Sequence, residues 1–423
     1  MSLLGLSLAY LRSRLLGTCL NLLLLALGVG MIVLLLLFTA KLEERLTRDA
    51  TGLDLVIGAK GSPLQLILSS IYHLDIPTGN IPVAEVERWR RHDLVSSVIP
   101  LALGDSLGGF RIVGTETAYA EHYAATLSEG RFWEAPSEAV LGSDVAAKTG
   151  LLVGDRFLGN HGLAPGGPVH GDHPYEVVGL LSPTTSVLDR LVLTGVDSVW
   201  ASHGIEAIDE EHDTDEEAAH DDGQHVKQPE AATEPKSTDR RQAAVTALLV
   251  RYRSPLAAVQ LPPLVNQTAG LQAAAPALEM ARLVSMIGIG TDAISGFGLL
   301  LIAMAGLSVF IGLTHALQAR RYDLAVMRTM GASPRTLFAL LLLEGALLAG
   351  GGVVLGLLLG HGAASMLAAN FPGAGNLGLS GWTWIFEEIY VVGFALAIGL
   401  IAALFPAIQA YRTDIAATLA SGR

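Results

Sequence analysis

Residues 15–39 read LLGTCLNLLLLALGVGMIVLLLLFT, an apolar run that contains no charged side chain. About 20 apolar residues in a helix cross the hydrocarbon core of a bilayer, so this run is long enough to be a membrane span. Three further apolar runs lie in the last third of the chain, at 283–317, 336–369 and 389–411. Because the backbone groups of a span must be hydrogen-bonded internally, each run is predicted to form a helix.

The arginines near these runs predict how the chain sits in the membrane, because short loops rich in Lys and Arg stay in the cytoplasm. They precede the first run, crowd the connection between the second and third, and follow the fourth: Arg12, Arg14, Arg320, Arg321, Arg328, Arg335, Arg412 and Arg423. The loop 370–388 contains no Lys or Arg. We therefore expect a multi-pass protein of the bacterial inner membrane. Residues 1–14 and the tail 412–423 are expected in the cytoplasm, and the segment 40–282 and the loop 370–388 in the periplasm.

The segment 40–282 has the composition of a soluble domain. Short β-branched runs bounded by Gly or Pro, such as 53–57, 95–103 and 175–180, predict strands. The stretches 83–91 and 143–149 predict helices, the second closed by a glycine. The expected fold is a membrane protein of four helices, with an α+β domain in two lobes inserted between the first and second spans.

The chain carries no motif that indicates catalysis. Residues 58–62, GAKGS, lack the GxxxxGK[ST] spacing of a phosphate loop and are predicted to be a flexible connection. The Ser, His and Asp residues that a hydrolase would need are scattered along the chain, and there is no basic face with interleaved aromatic residues that would bind nucleic acid. We predict that the protein is not an enzyme and does not bind nucleic acid.

The segment 206–239 is strongly acidic and carries several histidines. With so few apolar residues it is expected to be a disordered loop, and such charge runs are commonly nothing more than solvated loops. Imidazole and carboxylate groups also bind zinc, which leaves a second interpretation open, that the loop collects or senses zinc outside the membrane. The candidate ligands are His203, His212, His220 and His225.

The spans contain few polar groups, and four residues are exceptions because their side chains are ionisable or carry an amide: Asn21, Asp292, Glu344 and His361. A charge inside a membrane is a functional-site hypothesis by default, although snorkelling or bonding between helices also explains Glu344 and Asp292. Glycines are frequent in the second and third spans. They predict tight helix pairing, either within one chain or across a dimer.

Residues 318–335, QARRYDLAVMRTMGASPR, connect the second and third spans. The spacing predicts a short amphipathic helix with an apolar side at Leu324, Met327 and 329–330, and with arginines that face water or anionic headgroups. Gly331 is expected to end this helix as its cap, and Ser333-Pro334 to start the next one. The alternative is a positively charged loop that contacts only lipid.

The pattern RRxDLAVMRTMGAS at 320–333 closely resembles the coupling segment of FtsX/MacB-type ABC-transporter permeases. Residues 8–12, LAYLR, are similar to the amphipathic entry helix of that family. EGRF at 129–132 and VLGSDVA at 140–146 resemble its periplasmic core domain, and 405–412 its exit from the fourth span. The chain departs from the family in its acidic insert and in Asp323, where the family commonly has Glu.

The resemblance implies a permease homodimer bound to two copies of a cytoplasmic ABC ATPase, which would hold the ATP and magnesium. It implies docking of the ATPase at the coupling residues: Arg320, Arg321, Asp323, Leu324, Met327, Arg328, Gly331, Ala332 and Ser333. ATP-driven motion would then perform work in the periplasm, as export, lipoprotein extraction or mechanotransmission, with a periplasmic adaptor or substrate-binding protein as a further partner. The alternatives are a signalling scaffold of the FtsX kind, which regulates periplasmic partners without transport, and a metal sensor. Apart from zinc, no cofactor is expected on this chain.

Overall fold

The computed structural model describes residues 3–162, 173–202, 243–371 and 378–412. The chain divides into two units. One, the membrane unit, combines Met1–Leu46 with Arg282–Arg423, and the other, the inserted domain, is Thr47–Ala281. The acidic segment 206–239 and most of the tail 412–423 lie outside the described residues.

The apolar runs and several short amphipathic stretches between them fold as helices. In chain order they are α1 Leu3–Ser13, α2 Leu15–Ala50, α3 Pro63–Ser70, α4 Ala84–Arg90, α5 Thr117–His122, α6 Ser143–Thr149, α7 Val196–Ser202, α8 Ala257–Gln267, α9 Pro276–Ala319, α10 Arg321–Thr329, α11 Pro334–Asn370 and α12 Glu388–Tyr411.

The strands all lie in the inserted domain. They are β1 Leu55–Ala59, β2 Ile81–Pro82, β3 Val95–Leu107, β4 Phe110–Gly114, β5 Leu127–Gly130, β6 Glu138–Leu141, β7 Arg156–Phe157, β8 Asn160–His161, β9 Tyr175–Leu181, β10 Leu191–Thr194, β11 Ala244–Val245, β12 Ala247–Tyr252 and β13 Leu271–Ala274.

Within the described residues, four helices are long and apolar enough to cross a membrane: α2, α9, α11 and α12. The inserted domain lies between the first and second of them, and it mixes helices with strands. The predicted fold class, four spans with an α+β domain after the first, is confirmed.

Glycines allow the spans of the membrane unit to pack closely. A Cβ at Gly356 in α11 would lie 2.6 Å from Val29 Cβ in α2, and one at Gly345 would overlap Ala403 in α12. By contrast, Gly288, Gly290 and Gly296 in α9 have no described atom within 4 Å of the Cβ position. Most glycines of the third span therefore serve packing within the chain, whereas Gly350 and Gly362 face open space.

The main sheet of the inserted domain runs in the order β13-β1-β12-β3-β4-β10-β6-β9-β5, with β7 on β9 and β8 on β3. Most neighbours are antiparallel, but β4 with β10 and β6 with β9 are parallel. Strand β3 is long enough to pair with both β12 and β4, so it joins the two ends of the sheet.

Two separate hydrophobic cores lie on this sheet. One contains Trp89 of α4 with Leu55 and Leu248, and the other contains Tyr175, Phe157 and neighbouring apolar side chains. Each core buries aromatic and aliphatic surface, which is the main favourable contribution to folding.

A buried histidine, His73, lies just after the end of α3 and is held in its neutral form. His73 is 6% exposed, adopts a positive φ of 54°, and its Nε2 lies 3.0 Å from the Tyr119 hydroxyl. Burial, together with the charges of Arg111 and Arg190, lowers the pKa of His73 well below its usual value. Because the charged form is disfavoured by burial and by nearby cations, protonation of His73 opposes folding.

The prediction of a flexible connection at residues 58–62 is wrong. Gly58 and Ala59 are paired in β1, and Ser62 caps α3 by accepting a hydrogen bond from Gln65 N. Pro63 follows at the first helical position, where its missing N–H and fixed φ fit a helix start. Gly58 lies where β1 passes the Leu66 side chain, and a larger residue there would overlap that side chain.

Candidate coupling site

The segment that connects the second and third spans folds as the short helix α10. It begins directly after α9, and Arg320 between them has φ −113° and ψ 11°, which separates the two helices. At its other end Gly331 adopts φ +103°, with its N–H 3.1 Å from Arg328 O, while Ala332 N lies 3.0 Å from Met327 O. This pair of bonds is a Schellman motif. The helix cap is therefore Met330, and Gly331 follows it instead of being the cap itself.

The next helix starts as the sequence predicts. Ser333 has extended backbone angles, and its hydroxyl accepts a hydrogen bond from Thr336 N at 3.2 Å. Pro334 occupies the first turn of α11. Only Gly331 and Ala332 therefore separate the cap of α10 from the cap of α11, so α10 is tied closely to the third span.

One side of α10 packs into the membrane unit. Leu324 is 4% exposed and Ala325 is fully buried. Leu324 belongs to a cluster with Leu317 of α9 and Leu337 of α11, and Met327 packs against it. The predicted apolar side was thus right for Leu324 and Met327.

That prediction was wrong for residues 329–330, because both are exposed, Met330 by 75%. The helix ends at this point, and the Schellman turn carries the following backbone away from the packed side. An apolar side chain is left in contact with solvent.

Arg320 does not face water, contrary to the prediction for the arginines of this segment. Its Nη1 lies 3.4 Å from Glu344 Oε1 of α11, and the two side chains are only 12% and 3% exposed. Its guanidinium also lies 3.6 Å from the centroid of the Tyr10 ring in α1, and Nη2 is 3.4 Å from Tyr10 O. Cation–π attraction and the ion pair both favour this position. We call Tyr10, Arg320 and Glu344 the anchor cluster.

The other predicted coupling residues divide between the two sides of the segment. Arg321, Gly331 and Ser333 are exposed, as are Tyr322 and Thr329, which were not among the predicted coupling residues. Arg328 and Ala332 are half-buried, and Asp323 lies within α10. A water-facing surface therefore remains, centred on Arg321, Tyr322 and Met330, and we call it the exposed face.

The polar groups inside the spans pair between helices. Ser308 in α9 donates to Asn21 Oδ1 in α2 at 2.5 Å, and His361 Nε2 in α11 lies 3.1 Å from Glu388 Oε2 in α12. Asp292 is exposed. Bonding between helices, one of the explanations open from the sequence, thus accounts for Asn21, Glu344 and His361.

The candidate zinc ligands His203, His212, His220 and His225 all lie outside the described residues. Within the described ranges no group of three or more His, Cys, Asp or Glu side chains could hold a metal ion. The zinc interpretation remains a prediction.

Two family descriptions match the chain, and they follow the order of its parts. Residues 18–248 match the MacB-like periplasmic core domain, and residues 295–415 match the FtsX-like permease C-terminal family. No curated protein matches the chain.

Two solved structures are similar to about half of the chain. The chain is similar to the periplasmic region of MacB from Actinobacillus actinomycetemcomitans, with 12% identity and a TM-score of 0.33, over 55% of this chain and 95% of that one. It is also similar to the extracellular domain of the noncanonic ABC-type transporter YknZ from Gram-positive bacteria, with 11% identity and a TM-score of 0.29, over 52% and 98%.

The core-domain match alone spans more than half of the chain, and the permease match contains α10, α11 and α12 together with the last 25 residues of α9. The chain therefore belongs to the FtsX/MacB-type family of ABC-transporter permeases, which are the membrane components of these systems and not their ATPases.

Proposed function

We propose that this permease couples ATP hydrolysis by a separate ABC ATPase to conformational work done by its inserted domain. The observation that carries the proposal is the two-sided construction of α10. Its inner side is fixed to α9 and α11 by Leu324 and to α1 and α11 by Arg320, while its exposed face offers side chains to a partner. A push on such a helix displaces the spans to which it is attached.

The exposed face has the chemistry of a docking surface. It presents a guanidinium and an aromatic ring, Arg321 and Tyr322, at the start of α10, and a thioether, Met330, just after its end. Aromatic residues, Met and Arg are enriched at protein interfaces. Leu324 is buried and Arg320 is largely covered, so these two residues, which the sequence assigned to the ATPase contact, act on docking through the position of α10.

The proposal also specifies which side of the membrane each segment faces and which subunits form the complex. The arginines around α1, α10 and the end of α12 favour a cytoplasmic location for these segments, which puts the inserted domain in the periplasm. Two permeases with two ATPases then form the working complex, as the family resemblance implies. Gly288 and Gly296 lie about 80° apart around α9 and have no described atom within 4 Å of the Cβ position, which would let the helix of a second copy pack closely there.

Docking is tested with the double variant Arg321→Glu/Met330→Asp, which changes only exposed side chains. We expect the tagged wild-type chain to co-purify with a Walker-motif ATPase in equal amount and the variant to lose it, with unchanged membrane insertion. Met327 is avoided because it packs against the buried cluster. The control Tyr411→Asp/Arg412→Glu introduces the same two acidic side chains at exposed residues at the end of α12. Wild-type ATPase yield with the first variant would overturn the docking surface.

Sidedness is tested by cysteine labelling. The only native cysteine, Cys19, is replaced by Ser, and single cysteines are placed at the exposed positions Met330 and Ser254. A maleimide that cannot cross membranes should label Ser254→Cys in intact spheroplasts and Met330→Cys only after permeabilisation. Labelling of Met330→Cys in intact spheroplasts would refute the coupling role.

A further inference from the structure

An open groove of about 520 Å³ lies in the inserted domain, apart from the coupling site. Its walls come mainly from α4, α7, the connection between β4 and α5, and the loop that precedes β6. Small-molecule sites in proteins are concave and have volumes of about 300–1,000 Å³, so this groove has the size of a ligand site.

Two indole rings line the groove. Trp200 donates its Nε1–H to Ala244 O at 2.7 Å, which fixes its ring, and it packs partly on the core below. Trp133 is half-buried and lies against Gly195, where a Cβ would be 3.5 Å from the Trp133 Cδ1 atom. Its Nε1–H forms no hydrogen bond with any described residue, so this donor is available to a ligand.

The groove also carries an excess of negative charge. Of its five charged residues, four are acidic, and the single cation Arg90 is already engaged by Glu87 and Glu116, each at 2.7 Å. The other two carboxylates, Glu134 and Asp197, are exposed and form no hydrogen bond or ion pair with a described side chain. A ligand that brings a positive charge would be attracted to this edge.

We propose that the groove binds a small organic cation with an apolar or aromatic body. Indole rings provide the strongest cation–π attraction among side chains, and they also cover an apolar ligand surface. Glu134 and Asp197 supply the charge complementarity, and the Trp133 N–H supplies a donor. Binding in this groove does not depend on the ATPase-coupling function proposed above.

The test uses the full chain in lipid nanodiscs and equilibrium dialysis with labelled tryptamine, with empty nanodiscs to subtract partition into lipid. Tryptophol replaces the ammonium group of tryptamine by a hydroxyl. We expect saturable binding of one tryptamine per chain and binding of tryptophol weaker by about fivefold or more, as expected for a cation partly desolvated over an indole. Raising the salt concentration should weaken tryptamine binding.

Variants assign the site. Glu134→Gln/Asp197→Asn should weaken tryptamine binding by about fivefold, since the charge attraction is lost, and Trp133→Leu should do the same. The control Asp93→Asn/Glu121→Gln makes equal charge changes at exposed positions outside the groove and should leave binding unchanged. Equal binding of tryptamine and tryptophol, or no effect of the groove variants, would overturn the proposal. So would saturation of the groove by the peptide acetyl-Leu-Arg-Leu-amide in the absence of tryptamine binding, which would make the occupant a peptide.

Discussion

Replacing Arg320 by Met should destabilise the membrane unit strongly, although the residue lies only one position from the water-facing Arg321. The Nη1–Oε1 distance of 3.4 Å gives a gross attraction of about 5 kcal/mol at an effective dielectric constant of about 20. Met retains much of the apolar volume but leaves the carboxylate of Glu344 buried without its cation. Breaking a buried ion pair in this way costs about 3–5 kcal/mol.

The assay is unfolding of the purified chain by SDS titration in mixed micelles, which reports the free energy of unfolding of the membrane unit. Arg321→Met is the matched control, because it makes the same chemical change one residue away on an exposed side chain. Surface substitutions of that kind change stability by no more than about 0.5 kcal/mol. The contrast between adjacent positions isolates the anchor cluster.

A double variant, Arg320→Met/Glu344→Leu, separates the ion pair from simple packing. Removing both charges should restore most of the stability lost in Arg320→Met, because no buried charge then remains unpaired. A loss in Arg320→Met below about 1 kcal/mol, or strictly additive effects in the double variant, would refute the reasoning.

Three further predictions concern other parts of the molecule. The unfolding temperature of the inserted domain should fall as the pH drops below about 6.5, because His73 is protonated in the unfolded chain and stays neutral in the folded one. His73→Gln should reduce this pH dependence, whereas the control His173→Gln, at an exposed position, should not. In SDS unfolding, Gly345→Ala should cost about 1–3 kcal/mol because its methyl would overlap Ala403, whereas Gly350→Ala, with open space, should cost nothing. Deleting 206–239 should abolish zinc binding measured by titration of the full chain, and unchanged binding would contradict the zinc hypothesis.

The parts of the fold that sequence reasoning predicted are those specified by local signals. The spans follow from the length of their apolar runs, and α6 follows from an amphipathic stretch closed by Gly150 at φ +70°. Strand β13 was missed because LQAA has little intrinsic strand preference and becomes a strand by pairing with β1. Context of this kind outweighs β propensity, and a single sequence does not display it. Helix α3 was missed although Ser62 and Pro63 signal its start.

The candidate site shows the same division. The cap at Ser333 and the buried position of Leu324 follow from residues within one or two turns. The partners of Arg320 lie 24 residues ahead and 310 residues behind it, so no local pattern connects them. A lone carboxylate in an apolar span was the one available signal, because such a charge requires a partner.

For the coupling function proposed above, the anchor cluster supplies a physical basis on which a helix of nine residues would transmit force. A short helix with only a few buried apolar contacts would rotate on its neighbours when pushed, and the displacement would be lost. Here Arg320 fixes the start of α10 to α1 and α11, while Gly331 and Ser333 connect its end to the third span through adjacent caps. Both ends are therefore constrained, and a partner that moves the exposed face must also move the spans. On this reasoning Arg320→Met should weaken the dependence of ATPase activity on the permease even where the ATPase remains bound, whereas Arg321→Glu should weaken binding itself.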